Sequence, residues 1–397
     1  MRFKLIKDPV HGYIEVSEAE LRVVDSYPVQ RLRRIIQLPF VYLVYPGARH
    51  SRFDHSLGCM HLAGEFARSL GLDDYRRRVL RLAGLLHDLG HPPYSHLFEA
   101  LLEEAGLSHE AMTARILRGS GELAEAVEAC GVSAEDVLEV LEGRAAESPI
   151  ISGPIDADKL DFLMRDAYFT GAPYGIIDAR RIILRSRLLD GRLAVNINAV
   201  GAVEEMALAR YQNFLNIYFH HTVRAAQMLF LSGARMLEDL SSLSELSVEE
   251  YLRLDDYEVW CMMKRSEKAR WVVERIERRR IPKVAFELRL SEGDIPKSIL
   301  RDPENVKLEI ASLSGIPENS IWIDTPYVTP LPFKDESRVE FFDETSGKPR
   351  PVEYSSPLLE FTSKIYGMVR VYADPEHLER VRKASEKYFE GVLSSSS

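Results

Sequence analysis

Cysteine is scarce in this chain of 397 residues, and the three that occur, Cys59, Cys130 and Cys261, lie far apart. Because their number is odd and their spacing fits no metal finger, we expect free thiols in a reducing compartment. Long apolar runs are also missing. The segment MRFKLIKDPVHGYIEV is too polar for a signal peptide, and no later stretch has the length of a membrane span. We therefore expect a cytoplasmic protein with no membrane partner.

Positive charge is also in short supply. The chain has 51 lysines and arginines against 61 aspartates and glutamates, and its formal net charge is −10 at pH 7. This acidic balance argues against a protein that coats nucleic acid, although a local basic pocket remains compatible with it. The hydrophobic share of 46% is enough for a large core.

The spacing of apolar residues predicts a short β-hairpin followed by a long helical region. In residues 1–16, apolar positions flank the turn-forming pairs Asp8-Pro9 and His11-Gly12, as in a hairpin. From about residue 18 to residue 280 the apolar pattern is mainly helical, and Gly and Pro mark the breaks.

The pattern changes after Pro282. The alternation in KVAFELRL predicts a strand, and SIWIDTPYV and RVEFFDETSGKPRPVEY predict further strands. The segments LLEFTSKIYGMV and PEHLERVRKASEKYFEGVL predict two closing helices before a frayed serine tail. The sequence therefore predicts a mainly α protein, with a helical domain over residues 1–280 and a smaller α+β lobe over residues 281–397.

Histidine and aspartate are concentrated in three polar motifs. These are RFDHSLG, LLHDLGHPPYSH and DADKLD, and the second contains the adjacent pair His87-Asp88. Imidazole nitrogen and carboxylate oxygen suit borderline divalent ions, and such sites leave positions open for water and substrate oxygen. The motifs are far apart in sequence, so a shared site requires separate helices that meet at a core. Considered in isolation, a His-Asp dipeptide is more typical of a solvated surface than of a metal site. Considered in isolation, His55 is more typical of a buried histidine that is hydrogen-bonded within a helix.

Longer segments around these motifs resemble the HD-domain deoxynucleoside triphosphate triphosphohydrolases of the SAM-and-HD-domain type, in the bacterial and archaeal form without the SAM domain. The segments, in the family's order, are PVQRLRRIIQL, YPGARHSRFDHSLG, AGLLHDLGHPPYSHLFE and DADKLDFLMRDAYFTG. The resemblance implies a helical HD phosphohydrolase domain that binds a divalent metal: iron, manganese, zinc or magnesium. It implies four metal ligands, which are His55, His87, Asp88 and Asp158.

The resemblance also implies a catalytic group made of His91, His96, His109 and Glu99. Imidazole suits proton transfer near neutral pH, and in the family the matching histidines surround the phosphates. The Pro92-Pro93 pair predicts that His96 lies in a loop or at the start of the next helix. Ser108 predicts a helix that begins at His109. In the family, the carboxylate matching Glu99 orients one histidine, and an aspartate is usual there. The alternative is a set of ordinary surface histidines.

Phosphate contacts follow from the same resemblance. Positions that contact the triphosphate are matched by Arg52, Lys159 and Arg210. An arginine guanidinium can donate two parallel hydrogen bonds to phosphate oxygens, whereas a lysine ammonium group acts as a compact positive charge. Two positions depart from the family. Phe162 replaces a tyrosine that contacts phosphate, and His221 replaces a lysine.

Sugar contacts are implied for four residues. Gln37 and Leu38 match the pair that closes over the 3′-hydroxyl of deoxyribose, and Asp166 matches a residue that hydrogen-bonds the sugar hydroxyl. Tyr218 matches the aromatic side chain that packs against the sugar and excludes a 2′-hydroxyl. The alternative for Tyr218 is a core aromatic at helical spacing from Phe214.

A regulatory site is implied as well. The matching positions bind an activating guanine nucleotide between subunits, and they are Lys4, Asp25, Gln30, Arg33 and Arg279. The alternative is that Arg31, Arg33 and Arg34 form a solvated helix face.

The favoured function is hydrolysis of a dNTP to deoxynucleoside and triphosphate, in a homo-oligomer (a dimer or tetramer) with GTP or dGTP as effector. Two alternatives stay open. One is a phosphomonoesterase or phosphodiesterase that acts on another nucleotide. The other is a non-catalytic regulator that senses nucleotide or binds nucleic acid.

Overall fold

Helices dominate the computed structural model, which describes residues 3–104, 106–237, 243, 245–291, 302–328, 339–345, 349–350, 356–362 and 366–394. The predicted mainly α class with a smaller α+β lobe is confirmed. The α-helices are α1 (Glu18–Asp25), α2 (Tyr27–Arg31), α3 (Arg52–Ser69), α4 (Asp74–Leu86), α5 (His96–Glu104), α6 (His109–Gly119), α7 (Gly121–Ala129), α8 (Ala134–Leu141), α9 (Ala157–Thr170), α10 (Ala179–Leu184), α11 (Val200–Asn213), α12 (His221–Ala234), α13 (Val248–Arg253), α14 (Asp256–Arg265), α15 (Arg270–Glu277), α16 (Pro303–Ser314), α17 (Pro357–Thr362) and α18 (Leu378–Ser394).

The strands form three small sheets. They are β1 (Phe3–Asp8), β2 (Gly12–Ser17), β3 (Ser186–Leu189), β4 (Arg192–Asn196), β5 (Lys283–Ser291), β6 (Ile321–Asp324), β7 (Tyr327–Val328), β8 (Glu340–Phe342), β9 (Pro349–Arg350) and β10 (Tyr366–Ala373). The predicted N-terminal hairpin is confirmed, because β1 and β2 pair antiparallel with Lys7 opposite Tyr13. The short pair β3–β4 lies within residues 18–280, the region that the sequence predicts to be mainly helical.

The chain folds as two compact units that differ from the predicted boundary near residue 280. The first unit comprises Met1–Asn213, Glu238–Cys261 and Leu331–Phe361, and the second comprises Phe214–Leu237, Met262–Pro330 and Thr362–Ser397. The difference arises from packing between segments that are distant in sequence. In the second unit α12 packs on β5, β6 and α15. In the first unit β8 pairs parallel with β4.

The second unit is built around a four-stranded antiparallel sheet with β10 at its centre. The prediction that LLEFTSKIYGMV forms one helix is wrong from Tyr366 onward, where β10 begins. Met368 and Val369 are adjacent and both buried, and such a continuous apolar run does not distinguish a strand from a helix. Val369 and Val371 share a core with Ile310 of α16 and Val381 of α18.

The first unit holds the polar motifs, and local signals explain its helix ends. Ser51 and Asp54 form a capping box at the start of α3. Asp73 begins α4 by accepting a hydrogen bond from the Arg76 amide at 2.8 Å. A Cβ at Gly84 would lie 2.8 Å from the carbonyl oxygen of Cys59, so glycine is needed where α4 approaches α3. This contact brings the end of α4 close to the middle of α3.

Two predictions made from composition, free cysteines and the lack of a membrane span, can be compared with the structure. Cys59, Cys130 and Cys261 are all free thiols, as predicted. Within the described ranges, no helix combines the length and the apolar character that a membrane crossing requires.

Candidate metal centre and adjoining histidine cluster

Three segments bring the four predicted metal ligands together. His55 lies in the first turn of α3, Asp158 lies in the first turn of α9, and the pair His87-Asp88 directly follows α4. The Nε2 atom of His55 is 3.0 Å from Oδ1 of Asp158 and 3.6 Å from Oδ2 of Asp88. The Nε2 atom of His87 is 3.2 Å from Oδ1 of Asp88 and 3.8 Å from Oδ1 of Asp158. The ligand atoms of His55, His87 and Asp158 therefore lie together, and Asp88 adjoins both imidazoles from the side of His91 and His109.

Hydrogen bonds on the far side of each ring determine which nitrogen faces the carboxylates. The Nδ1 atom of His87 lies 2.8 Å from the Gly84 carbonyl oxygen, which can only accept, so Nδ1 carries the proton. The Nδ1 atom of His55 lies 2.8 Å from Oδ2 of Asp161 and donates to it in the same way. In the neutral ring that a metal ligand requires, each Nε2 atom then presents its lone pair to the carboxylates of Asp88 and Asp158.

This arrangement fits a divalent cation. The Nε2 atom of His87 is buried and has no hydrogen-bond partner within the described part of the chain. A lone pair that faces carboxylate oxygens is stabilised when a cation lies between them, and the mixed nitrogen and oxygen donor set suits a transition metal.

Charge supports the same fit. Burial opposes ionisation of Asp88, but the Arg52 guanidinium, together with His87 and His91, holds the pKa of this carboxyl well below its usual range. Burial also opposes ionisation of Asp158, and the neighbouring His55, His87 and Lys159 side chains lower its pKa below the ordinary value. Both carboxylates are therefore ionised at neutral pH, as metal ligands must be.

Cys59 lies beside these ligands and was not among the predicted site residues. Its Sγ atom is 3.5 Å from Nε2 of His55, one helical turn away on α3. Burial raises the pKa of the Cys59 thiol, so it remains protonated and packs as a small apolar side chain. The spacing of four residues from His55 is the sequence signal that could have found it.

A histidine cluster adjoins the centre on the side of Asp88. The Nε2 atom of His91 is 3.3 Å from Oδ1 of Asp88, and the rings of His91 and His109 stack with centroids 4.1 Å apart. Glu99 joins the cluster, because its two carboxylate oxygens contact Nδ1 of His96 and Nδ1 of His109. Glu99 thus holds two histidines rather than the single one that the resemblance implies.

The histidines of this cluster differ in environment. Burial and the nearby Arg52 guanidinium lower the pKa of His91 well below its ordinary value. Burial also lowers the pKa of His109, but the hydrogen bond that His109 donates to the Glu99 carboxylate outweighs this effect and raises the pKa overall. His96 is exposed at the start of α5, and α6 begins at His109 after the cap of Ser108, both as predicted.

The loop between His91 and His96 has an uncommon backbone that distant residues hold in place. Tyr94 and Ser95 both have left-handed conformations, with φ of 58° and 53°. The Tyr94 amide donates to Oδ1 of Asp256 at 2.6 Å, and the Ile36 amide donates to Oδ2 of the same carboxylate at 2.8 Å. Sequence reasoning missed Asp256, since nothing local connects it to either motif.

The predicted phosphate-binding residues have different surroundings. Arg52 donates to Asp88 from Nη1 and to Ser95 from Nε, and its buried Nη2 has no partner among the residues that the structure describes. Lys159 donates from Nζ to Asp156 at 2.7 Å, so its charge is already paired. Phe162 is half-buried on α9, and Arg210 lies near the end of α11.

The predicted sugar-binding residues are divided between the units. Gln37 is buried, and its Oε1 atom is without a partner among the described residues. Leu38 follows it in the chain, and Asp166 is buried and accepts from Nε2 of His50 at 2.8 Å. Tyr218 lies in the second unit, where its ring contacts that of Phe214 edge-on.

Four of the predicted regulatory residues lie in the first unit. Lys4 and Asp25 are exposed, and Gln30 accepts from Nε of Arg33 at 2.9 Å. Arg279 lies in the second unit. The alternative of a solvated arginine face is wrong for Arg31, which is fully buried and donates to the His91 carbonyl oxygen.

Comparison with known proteins places the chain in a family. Residues 52–161 match the model described as HD domain, and residues 177–394 match the model described as HD associated region, which covers more than half of the chain. The chain therefore belongs to the family of HD-domain proteins that carry this associated region. The resemblance identified from the sequence motifs is thereby confirmed at the level of the family.

Individual relatives agree with this assignment. An uncharacterized protein of Methanocaldococcus jannaschii is 34% identical over 284 residues, or 70% of this chain, and the chain spans only 59% of that protein's length. The Dictyostelium discoideum homologue of deoxynucleoside triphosphate triphosphohydrolase SAMHD1 is 27% identical over 368 residues, which is 85% of this chain and 70% of that protein. The crystal structure of a hypothetical protein from Aquifex aeolicus has a TM-score of 0.81 at 29% identity, covering 96% of this chain and 100% of that one.

Proposed function

We propose that this protein is a metal-dependent phosphohydrolase that splits a dNTP into deoxynucleoside and triphosphate. The observation that carries the proposal is the histidine cluster of His91, His96, His109 and Glu99 beside the convergent ligands His55, His87, Asp88 and Asp158. A regulator that only binds nucleotide has no need of a proton-transfer group adjoining a metal site. The similarity to proteins named as dNTP triphosphohydrolases supports the choice of substrate.

The metal and its neighbours supply the charge that phosphoryl transfer requires. A divalent ion held by the four ligands would neutralise phosphate oxygens and lower the pKa of a water molecule. Arg52 adds a fixed positive charge, and its Nη2, which has no partner among the described residues, can donate to a phosphate oxygen while Nη1 stays on Asp88. The native ion is one of iron, manganese, zinc and magnesium.

The histidines supply the proton for the leaving oxygen. Glu99 raises the pKa of His109, so His109 is the cluster member that best retains a second ring proton near neutral pH. Its Nδ1 is engaged with Glu99, and its Nε2, which lies 3.4 Å from Oε1 of the exposed Glu110, is the nitrogen that can donate to the substrate. His91 stays neutral and keeps its Nε2 atom on Asp88.

The test is a survey of substrates and products. Protein loaded with Mn²⁺, Fe²⁺, Zn²⁺ or Mg²⁺ is incubated with each dNTP, each NTP and p-nitrophenyl phosphate, and products are separated by anion exchange. We expect deoxynucleoside and triphosphate, and no activity in the matched variant His87→Gln. Stepwise release of single phosphates would favour a phosphomonoesterase, and binding without hydrolysis would favour a nucleotide-sensing regulator.

Selection for deoxyribose is proposed to depend on Gln37, Leu38 and Tyr218. Removing the Tyr218 ring makes room for a 2′-hydroxyl, so we expect Tyr218→Ala to raise the rate on ATP relative to dATP. Equal turnover of ATP and dATP by the unmodified protein would contradict a deoxy-specific pocket.

Regulation is proposed through Lys4, Asp25, Gln30, Arg33 and Arg279, with GTP or dGTP bound between subunits of a homo-oligomer. The contact between Arg33 and Gln30 supports a shared polar surface on the first unit. A nucleotide held between subunits favours assembly by mass action.

A further inference from the structure

The Asp161 carboxylate is a fully buried junction of four hydrogen bonds. Its Oδ2 atom accepts from Nδ1 of His55 and from Nε of Arg165, each at 2.8 Å. Its Oδ1 atom accepts from Nη2 of Arg165 at 2.8 Å and contacts Nε2 of His11 at 2.6 Å. Arg165 donates to both oxygens of this carboxylate, so the carboxylate accepts and His11 is the donor.

The same junction anchors the turn of the N-terminal hairpin. Arg165 reaches Oδ2 of Asp8 with its Nη1 atom at 2.8 Å. The other oxygen of Asp8 accepts from the amides of Val10 and His11, at 2.9 Å and 2.8 Å, and so shapes the turn that carries the His11 ring. The hairpin turn is therefore tied to the carboxylate twice, through His11 directly and through Arg165.

Close packing keeps the carboxylate in one place. A Cβ at Gly58 would lie 1.8 Å from Oδ1 of Asp161, so only glycine permits α3 to approach it. Because both oxygens are already engaged, the carboxylate plane is set by Arg165 and His11 together. Its Oδ2 atom is thereby directed at the ring of His55.

We propose that His11 is a positioning residue of the metal centre, acting through Asp161 on the ligand His55. The inference rests on the metal site proposed above. A carboxylate behind a metal-bound histidine fixes the ring and raises the basicity of the ligating nitrogen, and loss of such support typically weakens metal binding about 10–100-fold. His11 is one step further away, so its loss weakens binding by about the lower end of that range.

The test uses the full chain and Zn²⁺ affinity, measured by competition with a chromophoric chelator. His11→Phe removes the donor and keeps a flat ring, whereas His11→Gln keeps a donor. The matched control is His61→Phe, since the His61 ring lies 5.2 Å from that of His11 and is not bonded to Asp161. We expect about tenfold weaker binding for His11→Phe, and near-normal binding for His11→Gln and His61→Phe.

A second readout separates positioning from folding. In metal-free protein labelled with ¹⁵N-histidine, long-range ¹H–¹⁵N NMR reports which ring nitrogen of His55 carries the proton. We expect a smaller fraction of His55 rings to be protonated at Nδ1 in His11→Phe than in the unmodified protein. His11→Ala serves the same comparison if the larger ring prevents folding. Unchanged Zn²⁺ affinity in the folded His11 variants, or an equal loss in His61→Phe, would overturn the role of His11. Absence of Zn²⁺ binding in the unmodified protein would instead overturn the metal site itself, and this role with it.

Discussion

Arg52 donates to Asp88 from Nη1 at 2.5 Å, and both side chains are almost fully buried. One carboxylate therefore serves a guanidinium and the candidate metal centre at once. Removing either partner leaves a charge in the interior, whereas removing a neighbouring neutral ligand does not.

The variants Asp88→Ala and His87→Gln are predicted to lose the metal to the same extent but to differ in their loss of unfolding free energy. Asp88→Ala leaves the Arg52 charge unpaired and lowers the free energy of unfolding by about 3–5 kcal/mol. His87→Gln removes one hydrogen bond to the Gly84 carbonyl and lowers it by about 1 kcal/mol. Metal content by mass spectrometry and urea unfolding measure the two effects. Equal stability losses, or hydrolysis by a demonstrably metal-free variant, would contradict the prediction.

Gln37→Leu is predicted to affect substrate use and to leave the fold intact. The Oε1 atom of Gln37 has no partner in the residues described by the structure, so replacing the amide removes no internal hydrogen bond at that atom. We expect an unchanged or slightly higher free energy of unfolding and a fall of about tenfold in kcat/KM for dATP, the worth of one hydrogen bond. An unaltered kcat/KM would remove Gln37 from the proposed sugar site.

Asp256→Asn is predicted to change how stability depends on pH. Desolvation raises the pKa of Asp256 to about 7, against the lowering effect of the Tyr94 and Ile36 amides. The folded state therefore retains a proton that the unfolded chain releases near the ordinary aspartate pKa. The stability due to Asp256 is fully present below that ordinary pKa and is lost as pH rises through about 7.

Between pH 5 and 6, this linkage contributes a decrease of up to about 1.4 kcal/mol in unfolding free energy per pH unit. The Asn variant lacks that contribution, so its stability falls less steeply, or rises, over the same interval. Urea unfolding at several pH values measures both slopes. Parallel slopes in the two proteins would show that Asp256 is already ionised in the folded state.

Arg33→Ala is predicted to reduce the response to a guanine nucleotide. Arg33 is exposed, and its guanidinium lies 3.5 Å from the centroid of the Phe53 ring. We expect GTP or dGTP to raise the sedimentation coefficient and the dNTPase rate of the unmodified protein, and to do so several-fold less in Arg33→Ala. The control Arg49→Ala removes a similar contact, 3.9 Å above the Tyr42 ring, and should respond normally. No response in the unmodified protein would exclude the proposed effector site.

Much of the candidate site could be predicted from the sequence because its signals are local. His87 and Asp88 are adjacent, and the helix starts near His96 and His109 follow from proline and serine signals. The helical fold class follows from apolar periodicity over long segments.

Other features depend on contacts between distant segments, which a single sequence does not report. Asp256 lies more than 150 residues from Tyr94, and its hydrogen bonds become visible only in the folded chain. The strand β10 was predicted as a helix, because a run that is buried on both faces has no period to separate the two.

The bond between His11 and Asp161 joins residues that are 150 positions apart. A chain emerging from the ribosome therefore carries His55, His87 and Asp88 long before Asp161, the carboxylate that orients His55, has been synthesised. Closure of so long a loop is slow compared with the formation of local helices. Metal binding by the nascent protein should consequently begin only after α9 has been synthesised. The onset of metal binding would then report that the hairpin turn with His11 has docked on α9.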